Sequence, residues 1–371
     1  MTPIVSNMNS CVILIVLLLL RSSCGNDFRF GVKHGAQFNR KPLFGSRFAP
    51  WQQNTRTRLP QSMPPKIEAE AGKEGAWLPI GDVKAMDAGA IPLSMEVAGQ
   101  KIVVWQNPQN SEWSVMHDMC PHRLAPLSEG RVDSETGCIE CPYHGWQFET
   151  DGTCSKIPQM EPNAKPGANT ASKAVKTRVT GDMLWAFLPV PGSYYSTPPE
   201  EAFPEVSVLE GWTTRDLPYS YDFLVENFMD PGHIPFAHHS LQGVRSDGSP
   251  IPMNSITSLE NTTHCELTFT DVIRNKTRQG TVSFQAPVYY HFRVPDKFRE
   301  GAENKILTIL TVPVSPGKSR VHLSLSFPPD KEGKRRQPIP SWVPRWFIHG
   351  RSNNFLDSDI WVYVPPSRGY F

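Results

Sequence analysis

The chain has 371 residues, 39% hydrophobic and 20% charged, enough for a packed core and two domains of ordinary size. Its 36 prolines and 26 glycines favour short strands and turns over long helices, and seven irregularly spaced cysteines exclude a disulfide framework. Net charge is +1, but residues 1–66 hold nine Lys/Arg and one Asp, leaving 28 basic and 35 acidic groups (−7) on residues 67–371, a balance that argues against a nucleic-acid partner.

Residues 1–66 read as a targeting presequence. Residues 11–20 (CVILIVLLLL) form an apolar run followed by Arg21. It is too short to span a bilayer and fits the hydrophobic region of a signal peptide. Ser23-Cys24-Gly25 offers small residues for cleavage. Residues 28–66 then carry eight Lys/Arg and no acid. A signal-like run before an acid-free basic stretch resembles the bipartite plastid presequence of algae with secondary plastids, which implies a plastid destination. A plain secretory signal or a misassigned start is the competing reading.

Residues 75–190 read as an all-β domain. Trp77-Leu78-Pro79-Ile80 opens it, and residues 91–105 carry apolar runs broken by Ala98-Gly99-Gln100, a hairpin signal. Residues 113–116 continue the strands. Residues 146–148 and the Asp151-Gly152 turn follow the central motif, and residues 173–178 and 183–188 close the unit.

That motif is Cys120-x-His122, then 18 intervening residues, then Cys141-x2-His144. Two thiolates and two imidazoles, one of each from each loop, match a Rieske [2Fe–2S] centre, where a cysteine pair holds one iron and a histidine pair the other. The competing reading is structural zinc, for which Cys138-x2-Cys141 is a familiar spacing. Against it, Cys120 and His122 are closer than zinc ligands usually stand, and His144 would be left over. Cys138 is then a spare thiol.

Residues 191–205 are a Pro-rich linker and residues 206–371 a second domain. Strand character shows at 306–314 and 321–327, with a turn at Ser315-Pro316-Gly317-Lys318 between them. Val321, Leu323, Leu325 and Phe327 alternate with polar residues, which predicts one buried face. Helical signals stand at 220–239 and 345–363. Neither a flavin nor a nicotinamide motif is present.

Within the first helical stretch, Asn227-x2-Asp230-x2-His233-x4-His238 places two imidazoles five apart. Five residues turn a regular helix by about 500°, which points the two rings to different faces. Pro231, Gly232 and Pro235 break the regularity and permit convergence. Two histidines and a carboxylate make the facial triad of mononuclear Fe(II) oxygenases. His239 is a possible substitute for His238, although the spacing favours His238.

CPHRLAPLSEGRV and CPYHGWQFETDGTCSKIPQ, together with the segment LPYSYDFLVENFMDPGHIPFAHH, resemble the pheophorbide a oxygenase family and its relatives over residues 77–362. One departure is an interval from His122 to Cys141 that is one residue longer, within 133–137. The resemblance implies an α+β protein: an all-β Rieske domain, then a catalytic domain with an antiparallel sheet and covering helices of the helix-grip type. It implies that the third iron ligand comes from residues 353–364 (NNFLDSDIWVYV), with Asp359 favoured over Asp357. It implies that Asp230 bridges the iron site to a Rieske histidine of a neighbouring subunit in a homotrimer. Asn227 matches the motif's amide, with a helix-packing role as its alternative.

The activity implied is oxygenation of a chlorophyll-derived tetrapyrrole with O2 and electrons from ferredoxin, foremost ring opening of pheophorbide a. Side-chain oxygenation of a chlorophyll precursor and redox sensing beside the plastid import machinery remain open. Family members continue into membrane-anchoring segments. Here only twelve residues follow Asp359, with no apolar run long enough to span, so either an anchor is absent or the chain is a truncated form.

Overall fold

The computed structural model describes residues 75–86, 91–161, 164–189, 211–255, 264–294, 305–326 and 343–363. The presequence and the Pro-rich linker expected from the sequence lie outside these residues, as does Phe327.

The first half is all β. Strand β1 (Ala76–Asp82) pairs with β10 (Met183–Leu188), which pairs with β9 (Thr177–Thr180). Strands β2 (Leu93–Val97), β3 (Gln100–Gln106) and β4 (Trp113–His117) form a second sheet. Four very short strands form the third: β5 (Arg131–Val132), β6 (Ile139–Glu140), β7 (Gln147–Phe148) and β8 (Cys154–Lys156). The β2–β3 loop is the hairpin turn read from Ala98-Gly99. Both residues have positive φ (51° and 72°), the backbone that a tight two-residue hairpin demands.

The second half is one seven-stranded antiparallel sheet with helices over it. Its order is β11 (Thr213–Leu217), β17 (Lys318–Ser326), β16 (Lys305–Ser315), β15 (Tyr289–Val294), β14 (Lys276–Gln285), β13 (His264–Ile273), β12 (Met253–Ser255). Between β16 and β17, Gly317 takes φ +75° after Pro316, as a type II turn requires. The helices are α1 (Tyr221–Met229), the short α2 (Ile234–Ala237) and α3 (Arg345–Tyr363). A single helix over 220–239 does not form. Helix α1 stops at Met229 because Pro231 and Pro235 each lack an amide donor for a continuing ladder.

The sequence predicts one buried face for the strand at 321–327, and the structure buries both. On one face Val321 joins Leu224, Phe284, Ile309 and Leu356 under the helices. On the other, Leu310 and Val312, cross-strand partners of His322 and Arg320, share a core with Ile80, Ile102, Val104, Trp185 and Trp212 of the first half. Two of the polar residues buried there find partners. Arg320 grips Asp216 at 2.5 and 3.0 Å, and His322 Nδ1 lies 2.8 Å from Thr214 Oγ1. Two amides of the first hairpin turn, Ala98 N–H and Gly99 N–H, also donate to the Pro313 and Val314 carbonyls, both at 2.7 Å. A shared apolar core and these bonds hold the two halves together.

Two candidate metal centres

The first centre sits on a small core of its own, in which Cys120 and Cys141 pack with Val103, Trp105, Leu127, Ile139 and Phe148. The two loops that present it are closed alike. Cys120 N–H donates to the Ala125 carbonyl and Leu124 N–H returns to the Cys120 carbonyl, both at 2.8 Å. Cys141 N–H donates to the Trp146 carbonyl at 2.8 Å, and Gly145 N–H returns to the Cys141 carbonyl at 3.1 Å. The fourth residue after each cysteine has positive φ, 72° at Gly145 and 59° at Leu124. Glycine adopts that backbone freely, whereas leucine does so only because its loop is closed from both sides.

These turns bury the thiols and leave the imidazoles outermost. His122 is exposed and His144 half-buried, with ring centroids 4.7 Å apart. Trp146 stacks on His122 at 4.7 Å and 3°. Burial and the neighbouring Cys141 thiol push the Cys120 thiol up to about 11, while the amides of His122 and Arg123, aimed at the sulfur, work in the opposite direction. In the absence of metal the thiol keeps its proton; metal binding must release it. Thiol sits with thiol and imidazole with imidazole. Among the described residues, the three-donor group close enough for one ion lies elsewhere, at His233, His238 and Asp359. Paired donors of this kind suit a two-iron cluster better than one tetrahedral zinc. Cys138, the spare thiol, is buried 3.4 Å from Ser155 Oγ. The 133–137 loop is a compact turn in which Asp133 Oδ1 accepts from Glu135 N–H and Thr136 N–H at 3.0 and 2.9 Å.

The second centre is built by the break after α1. Asp230 Oδ1 caps the turn at Pro231–His233 by accepting from Gly232 N–H at 2.7 Å. The chain re-enters a helical turn at α2, and the change of direction brings His233 Nε2 to 3.1 Å from His238 Nε2. Asp359, from α3, stands with Oδ1 at 3.9 Å from His233 Nε2 and Oδ2 at 3.5 Å from His238 Nε2. Neighbouring ligands 2.1 Å from one ion are separated by about 3.0 Å, so the imidazole pair already has ligand spacing. The carboxylate needs only a small approach.

The surroundings favour a cation. Burial pushes Asp359 up to about 6, with His233 and the Asn227 amide opposing, and Asp359 Oδ1 is buried with no hydrogen-bond partner. Burial likewise holds His238 down to about 3, so its ring is neutral. Its Nδ1 lies 2.7 Å from Ser358 Oγ, and Phe355 stacks on the ring at 3.6 Å. The residues therefore fit a divalent ion, which supplies the charge that the buried carboxylate lacks.

Two sequence alternatives are placed elsewhere. Asp357 is exposed and ion-paired with Arg215, whose Nη1 also donates to the Asn353 carbonyl at 2.9 Å. Two residues on a helix are about 200° apart, so Asp357 faces away when Asp359 faces the histidines. His239 Nδ1 accepts from Arg245 N–H at 3.2 Å, away from the triad. Asp230 remains half-exposed, its Oδ2 4.0 Å from His233 Nδ1. Asn227 is buried against Asp359. Arg215, Phe355 and Ser358 were not anticipated, because each acts through a contact distant in sequence.

A cavity of about 70 Å³ adjoins the triad between the sheet and the helical break. Its walls are mainly apolar: Phe228, Phe269, Phe292, Leu307, Ile309 and Phe355.

Residues 76–177 match the Rieske [2Fe-2S] domain family, and residues 284–363 match the pheophorbide a oxygenase family. The chain thus carries a Rieske [2Fe-2S] domain followed by a segment of the pheophorbide a oxygenase family. Pheophorbide a oxygenase of Oryza sativa subsp. japonica, chloroplastic by name, is 31% identical over 347 residues, covering 82% of this chain and 62% of that protein. Protochlorophyllide-dependent translocon component 52 of Arabidopsis thaliana is 32% identical, covering 80% and 61%. Flavonoid 8-hydroxylase 2 of Ocimum basilicum is 31% identical, covering 82% and 61%. The chain spans about three-fifths of the length of these relatives. Dicamba monooxygenase bound to 3,6-dichlorosalicylic acid shares its fold, with a TM-score of 0.59 at 17% identity over 78% of this chain and 86% of the other. The α+β architecture of a Rieske oxygenase, with a Rieske [2Fe–2S] domain ahead of the catalytic sheet, is therefore the fold of this chain.

Proposed function

We propose that this protein is a Rieske oxygenase that oxygenates a chlorophyll-derived tetrapyrrole in a plastid, with ring opening of pheophorbide a as the leading reaction and ferredoxin as electron donor. The observation that carries the proposal is the convergence of His233, His238 and Asp359 beside an apolar cavity. In this reading Cys120, Cys141, His122 and His144 hold the cluster, and the triad holds a ferrous iron. Bound there, the cluster supplies electrons and the iron supplies open positions for O2 and substrate. The chain's residues do the rest. His238 stays neutral and so offers a lone pair at Nε2. Asn227 steadies Asp359. Asp230, beside His233 Nδ1, holds or passes a proton at that atom and links to a Rieske histidine of a neighbouring subunit in a homotrimer. The aromatic walls keep water from the reacting edge. A drug-sized ligand needs a pocket of roughly 300–1,000 Å³. A cavity of about 70 Å³ therefore takes the reacting edge of a flat macrocycle, with most of the ring outside it.

The chloroplastic names of the relatives support the plastid setting. The likeness to a translocon component supports a second reading, redox sensing beside import machinery, for which the cluster ligands alone suffice. Labelled O2 separates the two. Reconstituted protein with reduced ferredoxin is offered a panel of chlorophyll derivatives and a flavonoid, and products are weighed. Label in a chlorin product that disappears in His233→Ala supports the proposal. Label in the flavonoid alone reassigns the substrate, and no label from fully iron-loaded protein favours the sensor.

A further inference from the structure

Helix α3 brings three side chains to the second centre. Phe355, Ser358 and Asp359 stand at i, i+3 and i+4, the spacing of one helical face. Asp359 faces both imidazoles, and Phe355 lies flat on His238 with rings 3.6 Å apart and 19° from parallel. Ser358 Oγ makes two contacts, 2.6 Å to the Phe355 carbonyl and 2.7 Å to His238 Nδ1.

Hydrogen-bond accounting decides the direction of both. A carbonyl only accepts, so the single hydroxyl proton of Ser358 goes to Phe355. Toward His238 the serine is left with lone pairs, so Nδ1 must carry the proton. The neutral ring then has its free lone pair on Nε2, the atom that faces His233 Nε2 and Asp359. In the other tautomer two lone pairs would meet at 2.7 Å and Nε2–H would point into the ligand set.

We propose that Ser358 is a positioning residue that locks His238 as its Nδ1–H tautomer and so presets the ring for metal binding. This rests on the iron-site reading above. The tie also couples helix docking to the site, because the residue before the carboxylate orients one histidine while the carboxylate faces both. The sequence around it, Asp357-Ser358-Asp359, gives one residue to Arg215, one to His238 and one to the ligand set.

The test is anaerobic Fe(II) titration of protein that holds its cluster but is stripped of mononuclear metal, with a chelating indicator as competitor. Outer hydrogen bonds to ligand histidines are worth roughly 10–100-fold in metal affinity. Ser358→Ala should therefore weaken Fe(II) binding by about tenfold or more, and Ser358→Thr, which keeps the hydroxyl, should restore most of it. In ¹⁵N-histidine spectra of the same protein, the signal absent from His238→Asn should show one tautomer in wild type and a mixture in Ser358→Ala. Unchanged affinity and an unchanged tautomer in Ser358→Ala, with the Rieske spectrum and melting retained, would overturn the proposal. If Ser358→Ala loses its cooperative melting, Ser358→Cys replaces it, since a thiol is a poor acceptor; equal affinity in the Cys and Thr variants overturns the proposal as well. Wild-type protein that binds no Fe(II) sinks the iron-site reading itself, an outcome distinct from either of these.

Discussion

Asp359→Asn separates what this carboxylate costs the fold from what it offers a metal. Burial raises the carboxyl from 3.8 to about 6 in the folded, metal-free chain, against the smaller opposing effects of His233 and Asn227. A folded state that holds this proton more tightly than the unfolded chain is favoured at low pH. That advantage is complete below about 3.8 and is lost as pH rises through about 6. At about 1.36 kcal/mol per pH unit, ionising Asp359 in the folded chain costs about 3 kcal/mol near neutrality. Asparagine has no proton to lose. Metal-free Asp359→Asn should thus be about 3 kcal/mol more stable than metal-free wild type at pH 7.5, and only about 1 kcal/mol at pH 4.5. For a unit of this size that is roughly 5–10 °C in melting midpoint at the higher pH. Chelator-treated protein melted at both pH values gives the comparison, and any constant effect of the amide cancels in the difference between them. Adding Fe(II) should reverse the order at pH 7.5, because only wild type gains stability from binding. Equal pH dependence in the two proteins would refute the argument that this carboxylate is ionised at a cost, and Fe(II) stabilisation of the variant would refute its role toward the metal.

Cys120→Ser should abolish the Rieske electron paramagnetic resonance signal and labile sulfide, whereas His233→Ala leaves both intact; the two lesions should also leave different iron counts. Asp230→Asn should retain both metals and ferredoxin reduction of the cluster but lower turnover by orders of magnitude, since an amide cannot take a proton beside His233 Nδ1; near-normal turnover removes Asp230 from the path. Arg215→Ala releases α3 at Asp357 and at the Asn353 carbonyl. The exposed ion pair is worth little, so global stability should fall by only about 1 kcal/mol, while Fe(II) affinity falls more because Asp359 loosens; the pair of measurements, melting and titration, checks that split.

The candidate ligands are legible in the residue order of the chain. Cys120, His122, Cys141 and His144 lie in two short loops, so their spacing alone limits what they can hold. His233 and His238 are likewise local, and Pro231 and Pro235 announce the break that turns them together. Strands with strong alternation, such as that at Val321 and Leu323, were also readable, because period-two patterning is a local property. The rest depended on contacts that no local pattern encodes. Asp357 and Asp359 differ in surroundings only because α3 docks with one side on the two histidines and the other on Arg215, a residue more than 140 positions away. The buried polar face of β17 has the pattern of a solvent face and becomes interior because the first half packs over it. Ser358 is an ordinary helix serine until the fold sets His238 against it. Sequence patterns report each residue's preference for water or core and its local backbone. The direction in which a side chain finally points is decided by what the tertiary structure places opposite it.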